Sequence, residues 1–271
     1  MFFSEPDHNL IAKFNMAEAK GASIDELKEI QLEIAASYGA RLDNLIYRVI
    51  NINHLIADYE AKEITLPHIN VHTYGLKSGE NPLKDKKFKL SDGTICNIDT
   101  NDYFGSCWST DNNSQRSFKN FDQSNDAIII QSTVRKVLVE LMNTENVFYA
   151  LNYHVRPILY APRADLNQFI EQTPIEDYME PSGGRLAQTL FMLPDDFSDE
   201  NEVRFVYWHQ ITNNEWSSKN IIRCKNSEEK LLCKHPFDWD RVIDDVIFDP
   251  DSSDYVIEKQ HDELKKAGVL K

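Results

Sequence analysis

One run constrains the fold more than any other part of the chain: Phe197-Ser-Asp-Glu200-Asn-Glu202-Val-Arg204-Phe-Val-Tyr-Trp208. Its β-branched and aromatic residues call for a strand. Residues i and i+2 of a strand share one face. Glu200, Glu202 and Arg204 are therefore expected in one row, with Val203 and Phe205 on the opposite face. Three charges on one face make a poor core. The row either lines a cleft or is the solvated face of an edge strand, where charges guard against aggregation.

The 271 residues suffice for one large domain or two small ones with a substantial core. A hydrophobic share of 41% is ordinary for a soluble globular protein. The net charge of −15 repels phosphate backbones and argues against general nucleic-acid binding. Lys and Arg interrupt the acids throughout, which argues against an acidic mimic of DNA as well. Cys96, Cys107, Cys224 and Cys233 form no C-x-x-C pair, and the last two are not spaced for zinc. They read as reduced thiols of a cytoplasmic protein. No basic stretch followed by an apolar one opens the chain, and no apolar run approaches the roughly 18 residues that span a bilayer. Neither export nor membrane insertion is expected.

Residues 7–45 read as helical. Ser23-Ile-Asp-Glu26 is a capping box, followed by Leu27, Ile30, Ile34 and Tyr38 at helical spacing, with Gly39 to end the helix. Leu45 to Ile50 reads as a strand or helix end, Asn53 to Tyr59 as a short helix, and Glu63 to Leu66 as a strand stopped by Pro67. Residues 74–101 are polar and Gly- and Lys-rich, a loop or hairpin region. Tyr103 to Thr110 is a strand, and Asp111 to Asn125 a polar loop. Ala127 to Gln131 is a strand, after which Ser132 caps a helix carrying Val134, Val137, Leu138 and Leu141. One or two strands over Tyr149–Tyr160, a helix over Asp165–Tyr178 and a break at Pro181–Gly184 come next. The charged strand, a hairpin over 213–235 and a closing helix over Asp254–Lys266 complete the series. The strands follow no regular βαβ rhythm. The fold class is α+β, a single domain around a mixed, mostly antiparallel sheet.

Several motifs are set aside. Gly183-Gly184 lacks the Lys-Ser or Lys-Thr of a phosphate loop, and no G-x-S-x-G elbow occurs. His68 and His72 have metal-like helical spacing, but Pro67 argues against a helix there. His154, His209 and His235 are isolated, and Cys107 sits in an apolar strand that reads as core. No metal is expected.

The segments together resemble a bacterial family, the domain-of-unknown-function 2971 family, over about residues 42–268. The resemblance is carried by Tyr47-Arg48, Cys107-Trp108-Ser109, Ala127 to Thr133, Ile158-Leu-Tyr160, Leu190-Phe191, the Glu200-x-Glu202-x-Arg204 segment and Ile247-Phe-Asp-Pro250. Where the family has a Trp and a Tyr after the Cys-Trp-Ser strand, this chain has Phe118 and Phe121. Residues 1–41 stand before the resemblance as an N-terminal helical addition to a domain over 42–271.

The pattern is similar to ADP-ribosyltransferases of the Arg–Ser–Glu type. That resemblance implies an ADP-ribosyltransferase-like fold and cleavage of the nicotinamide–ribose bond of NAD. It assigns Glu202 to stabilise the positive charge that develops on the ribose, as in glycoside hydrolysis. Glu200 would act as a general base on the acceptor. Arg48 would pair with a dinucleotide phosphate. Ser109, with Thr110 beside it, would hold Glu202 in place, and Trp108 or Tyr103 would stack on nicotinamide or fill core. The acceptor would be a protein or nucleic acid, as for a bacterial toxin or antiphage effector. The residues also admit plainer roles: an Arg48 paired within the scaffold, a Ser109 ending its strand, and a surface ion pair between Glu202 and Arg204. The competing reading is a non-catalytic module that binds a nucleotide, a protein partner or a second copy.

Overall fold

The computed structural model describes residues 8–69, 87–89, 92–97, 102–112, 126–143, 152–178, 184–209, 221–223 and 231–270. Helix α1 (His8–Ala19) gives way at Gly21, φ 73°, to α2 (Ile24–Ser37). The expected cap opens α2: the Glu26 N–H donates to Ser23 Oγ at 3.2 Å. Gly39 at φ 90° ends it, a backbone state that suits glycine. Strand β1 (Leu45–Asn51) leads into α3 (Ile52–Ala61), where Asn51 Oδ1 accepts the Asn53 N–H at 3.0 Å. Strands β2 (Glu63–Pro67), β3 (Lys87–Lys89), β4 (Ile95–Asn97), β5 (Tyr103–Ser109) and β6 (Ala127–Thr133) follow.

Helix α4 (Val134–Leu141) is capped by Thr133, whose Oγ1 accepts the Lys136 N–H. Ser132, the residue expected there, instead lies within β6 and donates its hydroxyl to the Val242 carbonyl at 2.6 Å. Next come β7 (Tyr153–Pro157) and β8 (Leu159–Ala161). The helix expected over Asp165–Tyr178 is two, α5 (Arg163–Gln172) and α6 (Ile175–Tyr178). Pro174 between them has no N–H to continue a helix. Helix α7 (Gly184–Thr189), β9 (Met192–Pro194) and a 3₁₀ turn (Asp195–Glu200) precede β10 (Glu202–Trp208). The series closes with β11 (Ile221–Arg223), β12 (Leu231–Pro236), a 3₁₀ turn (Trp239–Arg241), β13 (Asp245–Phe248) and α8 (Asp254–Ala267).

The architecture is α+β, with a six-stranded, mostly antiparallel sheet in the order β13-β6-β1-β5-β10-β7. Strands β3 and β4 form the hairpin expected within 74–101, and β11 with β12 that expected within 213–235. Strands β8 and β9 pair in parallel. The expectations for His72 and for residues 74–86, 90–91, 98–101, 113–125, 149–151, 181–183, 213–220 and 224–230 lie outside the described residues. Among the described residues, no helix is long and apolar enough to cross a membrane.

The chain divides into two compact units. The first comprises Met1–Thr65, Trp108–Leu151 and Lys234–Lys271. Its sheet strands pair Val49 with Ile129 and Ile129 with Ile247, and these side chains gather with Tyr47 and Ala127 in one cluster. The Asp58 carboxylate ties α3 to β2, accepting the Thr65 N–H at 2.9 Å and its hydroxyl at 2.6 Å. Glu140 is buried on α4 and accepts the Asp238 N–H at 3.0 Å.

The second unit comprises Leu66–Cys107 and Asn152–Cys233. Its main core joins Tyr103, Ile158, Leu190, Phe191, Leu193 and Val206. Gly105 is a fixed requirement of this core: a Cβ there would lie 2.7 Å from the Phe205 carbonyl oxygen and 3.2 Å from Ile69 Cδ1. The close approach of β5 to β10 at this point admits only glycine.

Candidate functional site

The charged run begins differently from the sequence expectation. Pro194 fixes the chain for the acidic 3₁₀ turn, which holds Glu200. Asn201 then adopts a left-handed conformation, φ 45° and ψ 51°. Asparagine tolerates that region because its short amide bonds locally. Glu202 is the first residue of β10. Glu200 is therefore off the strand, and the expected row of three charges contains two, Glu202 and Arg204.

The edge-strand expectation is also corrected. Strand β10 stands between β5 and β7 in the sheet order. It pairs with β7 in the register Arg204 to Arg156 and Val206 to His154. Glu202 and Arg204 are each only 5% exposed, so theirs is no surface ion pair.

Buried charges persist only when paired and hydrogen-bonded, and this pair is. Arg204 Nε donates to Glu202 Oε1 at 2.8 Å and Nη2 to Oε2 at 3.1 Å, a two-pronged fork. Arg204 Nη1 donates to the Leu190 carbonyl at 2.6 Å, and Nε also faces Cys107 Sγ at 3.2 Å. The guanidinium is thereby fixed by β10, by β5 and by the connection between α7 and β9, all of its own unit.

The backbone of Glu202 is equally anchored. Its carbonyl accepts the Ile158 N–H at 2.8 Å, and its N–H donates to Tyr160 Oη at 2.9 Å. Burial pushes the Tyr160 phenol above its usual range; the bond from the Glu202 N–H opposes this, the charges of Glu202 and Glu200 add to it, and Arg204 pulls it back. Tyr160 stays protonated across the physiological range.

The far end of β10 carries neutral, buried imidazole chemistry. His209 is 2% exposed, and burial lowers its pKa to about 4. Its Nδ1 shares a hydrogen bond of 3.1 Å with Tyr207 Oη. His154 on β7 is lowered to about 3 by burial, with Arg156 adding to the effect.

The other residues singled out in the sequence fall as follows. In the first unit, the Arg48 guanidinium lies 6.0 Å from the Trp108 ring centroid, within cation–π reach. Trp108 is 1% exposed and so contributes to core. Ser109 Oγ accepts the Asp111 N–H at 3.0 Å and shapes the turn at the end of β5, where Thr110 is exposed. In the second unit, Tyr103 is buried in the main core and stacks near Trp208 at 6.4 Å.

Sequence reading gave no role to Tyr160 or to the Leu190 carbonyl, and it placed the Glu202–Arg204 pair at the surface, where the structure buries it. The i, i+2 spacing of Glu202 and Arg204 was the available signal. Cys107, taken as plain core, is half-buried and faces the guanidinium. Among the described residues, no group of three or more His, Cys, Asp and Glu side chains is arranged to hold a metal ion. No protein-family model, no curated protein and no solved structure matches the chain.

Proposed function

We propose that this chain is an ADP-ribosyltransferase-like enzyme that cleaves the nicotinamide–ribose bond of NAD and passes ADP-ribose to a macromolecule. One observation carries the reading. Glu202 opens β10 with its carboxylate held in one orientation by the two-pronged Arg204 fork. The order of Arg48, Ser109 and Glu202 along the chain, similar to that of the Arg–Ser–Glu enzymes, points the same way.

In this reading the C1′–N bond breaks, and nicotinamide leaves with the electron pair. Glu202 stabilises the positive charge left on the ribose. Arg204 holds that carboxylate in one orientation. Its fork takes two of the roughly four lone-pair positions of the carboxylate and leaves the others for ribose hydroxyls. Glu200, half-buried at the end of the 3₁₀ turn, takes the proton of the acceptor as it attacks C1′.

The test is nicotinamide release from NAD by the purified chain, beside Glu202→Gln, with cell lysate as acceptor source. Release should fall by about 10²–10³ in the variant, the usual cost of losing one electrostatic stabiliser. Equal release by a folded variant removes Glu202 from the chemistry.

The burial of Glu202 favours a second reading. A carboxylate 5% exposed, with both oxygens bound by Arg204, is also how a scaffold braces a strand. A non-catalytic module of this kind binds nucleotide or protein and releases no nicotinamide.

A further inference from the structure

We infer that the Tyr160 hydroxyl faces the ligand of this site and donates its proton to a neutral oxygen, a ribose hydroxyl. The inference rests on the NAD-binding reading and adds a binding residue to it. Tyr160 sits on β8, where it pairs with Leu193 of β9. Its ring packs against the main core of the second unit. Its oxygen accepts the Glu202 N–H at 2.9 Å, so the phenol is held at both ends. A phenol is a donor as well as an acceptor. Among the described residues, no acceptor takes the Tyr160 proton.

The surrounding charge selects what that proton meets. Glu200, Glu202 and Arg204 all act on the phenol, and together they sum to one negative charge. A phosphate is repelled there. A neutral polyol is accepted, and a cationic ring beside it is favoured. The nicotinamide ribose of NAD joins two neutral hydroxyls to a cationic ring. Its phosphates lie further along the molecule.

The experiment compares wild type with Tyr160→Phe in nicotinamide release. The substrates are NAD and two analogues, each lacking one hydroxyl of the nicotinamide ribose. Loss of one neutral hydrogen bond should raise KM for NAD about three- to tenfold, with kcat kept. The two proteins should treat one analogue alike, because the partner of the hydroxyl is already gone. A purely structural Tyr160 lowers the unfolding midpoint and shifts NAD and both analogues equally, which overturns the inference. Should Tyr160→Phe fail to fold, O-methyltyrosine at position 160 takes its place, since it keeps the oxygen that accepts the Glu202 N–H and lacks only the proton. One analogue treated alike by it and wild type supports the inference, and equal shifts for all three substrates overturn it. Wild type that releases no nicotinamide removes the catalytic reading but not this one. Calorimetric titration with ADP-ribose then decides: weaker binding by Tyr160→Phe supports the inference, and equal or no binding overturns it.

Discussion

Two arginine–carboxylate forks in this protein have nearly the same geometry. Arg204 holds Glu202 at 2.8 and 3.1 Å in the second unit, and Arg135 holds Asp43 at 2.7 and 3.2 Å in the first. Their surroundings are opposite. The Arg204 and Glu202 side chains are 6% and 5% exposed, whereas Arg135 and Asp43 are 42% and 78% exposed. The Arg135 fork pulls the Asp43 carboxyl below its ordinary value, and water screens most of that effect. The Arg204 fork works where water cannot replace it. Bond lengths alone do not rank ion pairs; the cost of stranding a charge does.

The sharpest test of that contrast is Arg204→Met. It leaves the buried Glu202 carboxylate without its partner and should cost about 3–5 kcal/mol in a urea titration. The double variant Glu202→Leu with Arg204→Met should recover most of the loss, since a matched apolar pair leaves no stranded charge. A double variant as unstable as the single one would show that the fork itself, rather than the stranded charge, holds β10.

Acidification comes next. His209 and His154 are held neutral in the fold, at about 4 and about 3, against 6.5 for an ordinary imidazole. Below pH 6.5 the unfolded chain therefore binds protons that the folded chain refuses. Stability should fall as pH drops from 6.5 towards 4 and keep falling towards 3. Replacing His209 with Asn should flatten the upper part of that slope in thermal melts taken every half pH unit. An unchanged slope assigns the acid response elsewhere.

Gly105→Ala probes packing around the buried fork without touching a charge. The added methyl meets the Phe205 carbonyl, and overpacking of this kind costs about 1–3 kcal/mol. Wild-type stability in that variant would mean that β5 and β10 separate easily. The smallest effect belongs to Arg135→Ala, which should leave the melting midpoint where it is. A clear drop there would erase the distinction between the two forks.

The local grammar of the fold was legible where one residue type settles one backbone state. Ser23 with Glu26, Gly39 and Pro67 each mark a boundary that short-range chemistry dictates. The α+β class followed from the irregular alternation of strands and helices. The site was legible as a set of residues but not as an arrangement. The reading assumed that the strand had begun by Glu200. Asn201, tolerant of positive φ, starts it at Glu202 instead. Alternation fixes which residues share a face, but it says nothing of what covers that face, so Glu202 and Arg204 looked like surface charges. Tyr160 was invisible because its role arises from the Glu202 N–H, a backbone group that no side-chain pattern reports.

The pairing of β6 has a consequence for the newborn chain. Gln131 faces Tyr47 on one side and Asp245 on the other. The first partner is made early in translation, and the second only after the whole of the second unit has left the ribosome. During that interval Ala127-Ile-Ile-Ile130 has one open edge, with the composition that most readily recruits a stray strand. The protein's period of greatest risk is thus written into its chain order. Slowing elongation between residues 134 and 245 should lengthen that risk, and chaperone demand in the cell should rise with it.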